Sequence, residues 1–159
     1  MSSSAPTPDR YIAPRTRVDI LSGTVVAWLT RHGISLLGSR VLSVPGRRTG
    51  KLQQVPVNLL QHDGRRYLVA IRGNTQWVRN IRAAGAARLQ VGRRSEAVTL
   101  TELPAGDRVP VLHRYLARWG WEVGRFAEGL SKHSTDGELL AAAPGIPVFE
   151  VHSRTEEAA

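Results

Sequence analysis

The chain has 159 residues, of which 42% are hydrophobic, and a formal net charge of +9. This length supports one hydrophobic core, so we expect a single domain over residues 13–153 with flexible tails at 1–12 and 154–159. The absence of cysteine excludes disulfides, thiolate nucleophiles and cysteine-ligated zinc. The polar start lacks the apolar stretch of a secretory signal, which makes a cytoplasmic location the default expectation.

The first predicted element is an amphipathic helix over residues 17–37, where apolar side chains recur at spacings of three and four. Such a stripe usually packs on the core. Trp28 and Arg31 beside it would also suit a membrane surface, so peripheral membrane contact through this helix stays open as an alternative. The longest apolar run is about 12 residues and contains Asp19, which is too short to span a bilayer.

Residues 40–103 predict a meander of short strands separated by turn signals. The β-branched and apolar runs lie at Val41–Val44, Val55–Leu60, Tyr67–Ile71, Arg88–Val91 and Ala97–Leu103. The pair Asp63-Gly64 predicts a hairpin turn because glycine tolerates positive φ. Pro56 indicates an edge position or a bulge in its strand, since proline has no N–H to donate to a ladder. A short helix capped at Asn74-Thr75 and ended by Gly85 interrupts the strands.

The last third predicts a helix over residues 107–119, in which leucines and aromatic residues share one face. Residues 120–145 are expected to be irregular, and residues 147–152 read as a final strand. About six mostly antiparallel strands with helices outside them predict an α+β fold. A small closed or half-open barrel explains this order better than a doubly wound sheet.

Positive charge is concentrated in the barrel segment. Residues 40–94 contain eleven arginines and one lysine against a single acid, Asp63, which gives a formal charge of +11. A bias in the coding sequence would raise the arginine count without any function, but it does not explain the clustering. Arginine presents a planar set of donors that matches phosphate and carboxylate, so the segment predicts a site for an anion.

The turn Gly46-Arg47-Arg48-Thr49-Gly50-Lys51 combines two glycines, a hydroxyl and three cations. It is not a Walker phosphate loop, because only three residues separate the glycines and Leu52 follows the lysine. Such a turn is a competent phosphate cradle, although an exposed basic turn that serves solubility alone would have the same sequence.

Other chemistries lack a candidate constellation. The five histidines show no spacing typical of metal ligands, so we expect no metal site. No nucleophile elbow is present, and the acids of the C-terminal half lie in polar stretches that are typical of solvated charges.

The order of these segments resembles the deazaflavin-dependent nitroreductase family, whose members use coenzyme F420 on a split β-barrel. The similarity covers about residues 40–103 and the final strand, and it is carried by VLSVPGRRTGKLQQVPVNLL, DGRRYLVAIRG and QWVRNIRAAG. Its most specific element is the GRRTG turn together with the W-x-x-N helix start. The family often has proline and a basic residue at the positions of Leu52 and Gln53, and a longer loop where this chain has only Asn74, Thr75 and Gln76.

The resemblance implies that the turn holds the phosphate and carboxylate tail of the coenzyme and that two strands and the helix start line the deazaflavin ring. The implied contacts are Arg47, Arg48, Thr49, Gln53, Val57, Asn58, Ala70, Ile71, Arg72, Gln76, Trp77 and Asn80.

The resemblance also implies hydride transfer in two-electron steps, for which no dedicated catalytic base is required. Aromatic residues of the C-terminal half would form a wall for a planar apolar acceptor, such as a quinone or a nitroaromatic compound. These are Tyr115, Trp119, Trp121 and Phe126.

Two alternatives stay open at this point. FMN offers a phosphate to the same turn, so an FMN-dependent oxidoreductase is the first. The second is a basic module without enzymatic activity that binds nucleic acid or anionic lipid. Nucleic acid is the weaker of these partners, because the basic segment has only two aromatic residues, Tyr67 and Trp77, to stack on bases. The sequence does not determine the oligomeric state.

Overall fold

The computed structural model describes residues 39–91, 93–123 and 129–154. The predicted helix at 17–37 and the tail at 1–12 lie outside the described residues. The six strands are β1 (Ser39–Pro45), β2 (Leu52–His62), β3 (Arg65–Val69), β4 (Ala86–Val91), β5 (Arg94–Glu102) and β6 (Val148–Ser153). The three α-helices are α1 (Gln76–Ala84), α2 (Val109–Val123) and α3 (Asp136–Ala142), and Ala105–Arg108 and Ala143–Gly145 form 3₁₀ turns.

The strands form a closed barrel in the order β1-β2-β3-β6-β5-β4, and every pairing between neighbours is antiparallel. This confirms the predicted α+β class with a six-stranded antiparallel barrel. Most observed strands begin a few residues before the predicted runs, because ladder pairing continues past the apolar residues into the polar ends. Strands β3 and β5, in contrast, end at Val69 and Glu102, before the predicted ends at Ile71 and Leu103. Within the described ranges, no helix is both long enough and apolar enough to cross a membrane.

One half of β2 has a single partner strand. Residues 52–58 pair with β1, whereas pairing with β3 begins only at Leu59, opposite Leu68. Pro56 lies in this singly paired half, opposite Val41, which confirms the predicted edge position and explains why its missing N–H is tolerated. Among the described strands, residues 52–58 thus pair with β1 alone, and we call this segment, which follows the basic turn, the open half of β2.

The predicted turns are present. Asp63 and Gly64 have φ angles of 50° and 73°, as expected for a two-residue hairpin turn. Gly85 ends α1 in the left-handed conformation, with φ of 70°, and its N–H donates to the carbonyl of Ile81. Both glycines therefore occupy backbone conformations that other residues adopt only at a cost.

Two hydrophobic clusters stabilise the domain. The first fills the barrel interior with side chains from all six strands, including Leu42, Leu68, Val98 and Phe149, and α1 contributes Val78 and Ile81 at one end. The second lies between the outer face of β2, β3 and β6 and the helices α2 and α3. Because alternate residues of a strand face opposite sides, the same three strands supply both clusters.

The segment predicted to be irregular contains a helix. The side chain of Thr135 accepts a hydrogen bond from the N–H of Glu138, and the Glu138 side chain accepts one from the N–H of Thr135. This capping box begins α3, and Leu139 then anchors the helix in the outer cluster. The prediction of an irregular 120–145 segment was therefore wrong for residues 136–142, and also for residues 120–123, which continue α2. The predicted 107–119 helix begins at Val109 and has Pro110 in its first turn, where proline is tolerated.

A network of polar side chains lies at the end of the barrel opposite α1. Arg66 donates two hydrogen bonds to Glu96, of 2.7 and 2.9 Å, and Ser153 donates a third of 2.6 Å. These bonds, led by those from Arg66, lower the pKa of Glu96 to about 2. The folded state thus holds this carboxylate ionised well below the pH at which an ordinary glutamate protonates.

We expect this network to support stability against acid. Because the pKa of Glu96 is lower in the folded than in the unfolded chain, its contribution is present above the ordinary value of 4.5 and is lost as the pH falls toward about 2. Urea unfolding of Glu96→Gln should therefore show a flatter pH dependence than wild type over this interval. Asp107→Asn, which removes an exposed carboxylate, is the control and should follow wild type. A Glu96→Gln profile parallel to that of wild type would contradict this role.

Candidate functional site

The basic turn between β1 and β2 has a fixed backbone shape. Gly46 donates to the carbonyl of Lys51 at 2.8 Å, Gly50 donates to the carbonyl of Gly46 at 2.9 Å, and the N–H of Lys51 donates to Oγ1 of Thr49 at 3.2 Å. Gly50 has a φ of 72°, and a Cβ at Gly46 would lie 3.2 Å from the Lys51 oxygen. The glycines are therefore required for the turn itself, and the cations project from a rigid support.

Arg47 is tied to helix α1 by two amide side chains. Oδ1 of Asn80 accepts the backbone N–H of Arg47 at 3.1 Å and its Nη1 at 2.9 Å. Nη1 also donates to Oε1 of Gln76 at 2.9 Å. Among the described residues, no atom accepts a hydrogen bond from Nε or Nη2 of Arg47. That edge of the guanidinium, with two parallel donors, is the one that matches a carboxylate or a phosphate.

The acceptors that hold Arg47 are uncharged, whereas Arg66, Arg82 and Arg108 each bind a carboxylate. Glu96 binds Arg66, and Glu102 binds both Arg82 and Arg108. A carboxylate partner cancels the charge that it orients, whereas an amide orients the guanidinium and leaves its charge available. Arg48 and Lys51 are exposed on the same turn. The turn therefore offers preorganised positive charge.

The start of α1 adds a second favourable feature for an anion. Its first turn contains no acidic residue, and the first N–H groups of a helix have no partner within the helix. Thr75 occupies the N-cap position but its side chain makes no capping bond, and its Oγ1 is buried without a hydrogen-bond partner in the structure. Partial positive charge at this helix end lies beside Gln76, which contacts Arg47.

The predicted coenzyme contacts fall into three classes of exposure. The turn residues Arg47, Arg48 and Thr49, together with Gln53 and Gln76, are exposed, whereas Val57, Asn58, Arg72 and Trp77 are half-buried. Ala70, Ile71 and Asn80 are buried, at 3%, 6% and 3% exposure. The first two pack in the hydrophobic clusters, so only their backbone is positioned to meet a ligand.

The open half of β2 carries three more of the predicted residues, Gln53, Val57 and Asn58. Gln53 and Val57 share the face that packs on the interior cluster, whereas Asn58 lies on the opposite face, because side chains alternate along a strand. Val57 and Trp77 pack against the interior cluster from its margin, and the Trp77 ring lies 5.8 Å from that of Phe149. Charged donors at the turn and an apolar margin beside it therefore form one candidate site.

The structure does not support the predicted acceptor wall. Tyr115 and Trp119 are 3% and 0% exposed and pack in the outer cluster, with their ring centroids 5.2 Å apart. Their spacing of four residues places them on the buried face of α2, which is a core pattern. The prediction that these two residues line a pocket was therefore wrong. The side chains of Trp121 and Phe126 lie outside the described residues.

A cavity of about 620 Å³ lies at the other end of β2, against the β2–β3 hairpin and Arg114. Its arginines Arg65 and Arg66 are paired with Glu150 and Glu96, so their charge is already compensated. This cavity is consequently a weaker anion site than the turn. Among the described residues, no group of three or more His, Asp or Glu side chains could hold a metal ion.

The sequence predicts the basic turn and the start of α1 as separate features, but it does not predict the hydrogen bonds from Arg47 to Asn80 that connect them. The Asn of W-x-x-N was interpreted as a ligand contact, whereas it is almost fully buried and accepts two hydrogen bonds from Arg47. The available signal was its spacing from Trp77, since residues three apart share one side of a helix. Sequence alone does not say that this side faces the turn.

The fold is shared with known reductases. An F420-H2 dependent reductase has 19% identity and a TM-score of 0.51, with 72% of this chain and 94% of that chain covered. A structure described as a domain-swapped dimer has 18% identity and a TM-score of 0.53, with 88% and 100% covered. A protein of unknown function from Agrobacterium tumefaciens has 16% identity and a TM-score of 0.50, with 94% and 57% covered. At these identities the similarity shows the fold. No curated protein matches the chain significantly.

A family model gives the more specific result. The model of the F420H(2)-dependent quinone reductases matches residues 15–124, which include the basic turn, the open half of β2 and α1. This confirms the resemblance inferred from the motifs and selects F420 over FMN as the coenzyme. The chain belongs to the F420H(2)-dependent quinone reductase family and is a coenzyme F420-dependent oxidoreductase.

Proposed function

We propose that the protein transfers a hydride from reduced coenzyme F420 to a planar apolar acceptor, either a quinone or a nitroaromatic compound. The observation that carries this proposal is the charged but uncompensated edge of Arg47, fixed at one end of an apolar margin. F420 combines an anionic tail with a planar ring, and the residues present fit both parts. The family description supports a quinone as the acceptor.

The tail and the ring are assigned to different residues. Arg47 and Arg48 would bind the phosphate and carboxylate groups, and the hydrogen bond from Lys51 to Thr49 keeps the turn in shape. The start of α1 adds N–H groups suited to the phosphate. Val57 and Trp77 would contact the ring, since both are half-buried beside the open half of β2. Hydrophobic contact of this kind also excludes water from the ring.

Bound deazaflavin supplies the redox chemistry, because a carbon in place of the reactive ring nitrogen donates hydride in a two-electron step. The chain's own residues then have to position the two reactants and exclude water. This division of labour requires no acid-base pair. It agrees with a site built from arginines, amides and apolar side chains rather than from catalytic carboxylates or histidines.

An acceptor panel tests the proposal. Purified protein is mixed anaerobically with reduced F420 and menadione, a nitroaromatic compound or a non-planar aliphatic ketone, and the return of oxidised F420 is followed by its fluorescence. We expect the first two to be reduced at least about tenfold faster than without protein, since positioning alone supplies larger factors, and the ketone not at all. Binding of F420 without reduction of either planar acceptor would overturn the acceptor assignment and leave the coenzyme assignment intact.

A further inference from the structure

We propose that Asn80 is a positioning residue that makes Arg47 an anion receptor, by orienting its guanidinium through an uncharged amide. This inference rests on the proposed function, since the anion in question is the coenzyme tail. It assigns to Asn80 a role through Arg47 and not through direct contact with the coenzyme.

The geometry supports an indirect role. The Asn80 side chain is 3% exposed, so it presents almost no surface to a ligand. Its Oδ1 accepts two N–H donors, the backbone and Nη1 of Arg47. Two donors at one atom also fix the orientation of the amide, because its nitrogen could not accept either bond. Oδ1 of Asn80 therefore holds both the backbone and the side chain of Arg47, and Oε1 of Gln76 adds a second acceptor for the side chain alone.

Asn80 is a polar residue among buried apolar neighbours on α1. Val78 and Ile81 on the same helix are 0% and 1% exposed, and both pack in the interior cluster. A buried amide is unfavourable unless it is hydrogen-bonded, so an apolar residue would be tolerated here if packing were the only demand. The bonds to Arg47 satisfy the amide oxygen and connect α1 to a turn 33 residues earlier in the chain.

The absence of charge on Asn80 is the central feature. An aspartate has nearly the same shape and could accept the same two hydrogen bonds, as Glu96 does from Arg66. It would, however, neutralise Arg47 and place a negative charge beside the start of α1, where an anion is expected. The Asn80→Asp variant thus keeps the orientation of the Arg47 guanidinium but cancels its charge. The two contributions to anion binding can therefore be measured separately.

The test compares Asn80→Asp, Asn80→Ala, Arg47→Ala and the double variant Arg47→Ala with Asn80→Ala by fluorescence titration of F420. We expect Asn80→Asp to raise the dissociation constant about 100-fold and Asn80→Ala about tenfold, in line with the loss of one charged contact and of its orientation. In the Arg47→Ala background, Asn80→Ala should have almost no further effect, since positioned charge is already absent. In steady-state kinetics, Asn80→Ala should raise the KM for F420 by a larger factor than it lowers kcat, because the bond acts mainly on coenzyme binding.

Gln61→Glu is the control, because it introduces the same charge at an exposed position at the far end of β2. Its affinity for F420 should equal that of wild type. Wild-type affinity in Asn80→Asp, or equal effects of Asn80→Ala with and without Arg47, would overturn the role of Asn80. Inorganic pyrophosphate is titrated by calorimetry as a second probe. If wild type binds pyrophosphate but not F420, the proposed function fails while the order of the variants for pyrophosphate still decides the role of Asn80.

Discussion

Replacing both Arg47 and Arg48 by alanine is expected to raise the dissociation constant for F420 at least about 100-fold. Under the proposed assignment, each guanidinium would supply charge-assisted hydrogen bonds to the anionic tail, and such bonds contribute roughly 1.5–3 kcal/mol each. A loss of about 1.4 kcal/mol corresponds to a factor of ten in affinity. Both side chains are exposed, so the thermal midpoint should stay close to that of wild type. Fluorescence titration and thermal unfolding measure the two quantities.

The matched control removes the same charge elsewhere. Arg65 and Arg94 are exposed and lie at the β2–β3 and β4–β5 hairpins, at the end of the barrel opposite the turn. Their double replacement by alanine lowers the net charge by the same amount but should change the affinity by less than about threefold, because screening weakens exposed charges beyond roughly 10 Å. Equal losses in the two double variants would mean that the whole positive field, and not the turn, attracts the coenzyme.

Replacing Arg108 by methionine is expected to destabilise the domain more than any other change at a charged position described above. Its side chain is buried, with 7% exposure, and it donates to the carbonyls of Leu103, Ala143 and Ile146 and to Glu102. Methionine keeps much of the packing but leaves three carbonyls without this donor. We expect a loss of about 3–5 kcal/mol in the free energy of unfolding, measured by urea denaturation.

Arg82→Met provides the comparison, because Arg82 binds the same carboxylate, Glu102, from a side chain that is 40% exposed. Its hydrogen bonds are the main cause of the lowered pKa of Glu102. An exposed partner contributes little to stability, so we expect a loss of about 1 kcal/mol or less. Similar losses in both variants would show that the buried carbonyl contacts of Arg108 contribute nothing beyond the ion pair.

Much of the fold was predictable because local rules agree with the tertiary structure. Asp63-Gly64 and Gly85 require positive φ, and these requirements fix the hairpin and the end of α1. Pro56 predicted an edge position or a bulge, and it lies in the half of β2 that pairs with β1 alone among the described strands. The missed helix α3 had a local signal in the Thr135-x-x-Glu138 spacing, but Gly137 and the surrounding polar residues obscured it.

The site was less predictable because its important features are long-range. The cations of the turn are visible in sequence, whereas the choice of an amide rather than a carboxylate as the partner of Arg47 depends on how α1 meets the barrel. Burial also reverses some expectations. Tyr115 and Trp119 were assigned to an acceptor wall from the family resemblance and their aromatic character, but α2 places them in the core. Side-chain type indicates which chemistry is available, and packing decides which residues can perform it.

The turn and helix α1 hold Arg47 in one orientation. The backbone bonds of the turn and the amides of α1 order the guanidinium before any ligand arrives. Less conformational entropy is then lost on binding, which is the general advantage of a preorganised site. The central claim is that this site recognises the anionic tail of the coenzyme as well as its ring.

The most direct test changes the ligand and keeps the protein unaltered. The affinity of wild type for F420 is compared by fluorescence titration with its affinity for the deazaflavin riboside that lacks the phosphate and the carboxylate tail. We predict that F420 binds at least about 30-fold more tightly, as expected for one or two charge-assisted contacts. Equal affinity for the two ligands would contradict the claim, because it would show that the arginine turn does not bind the tail.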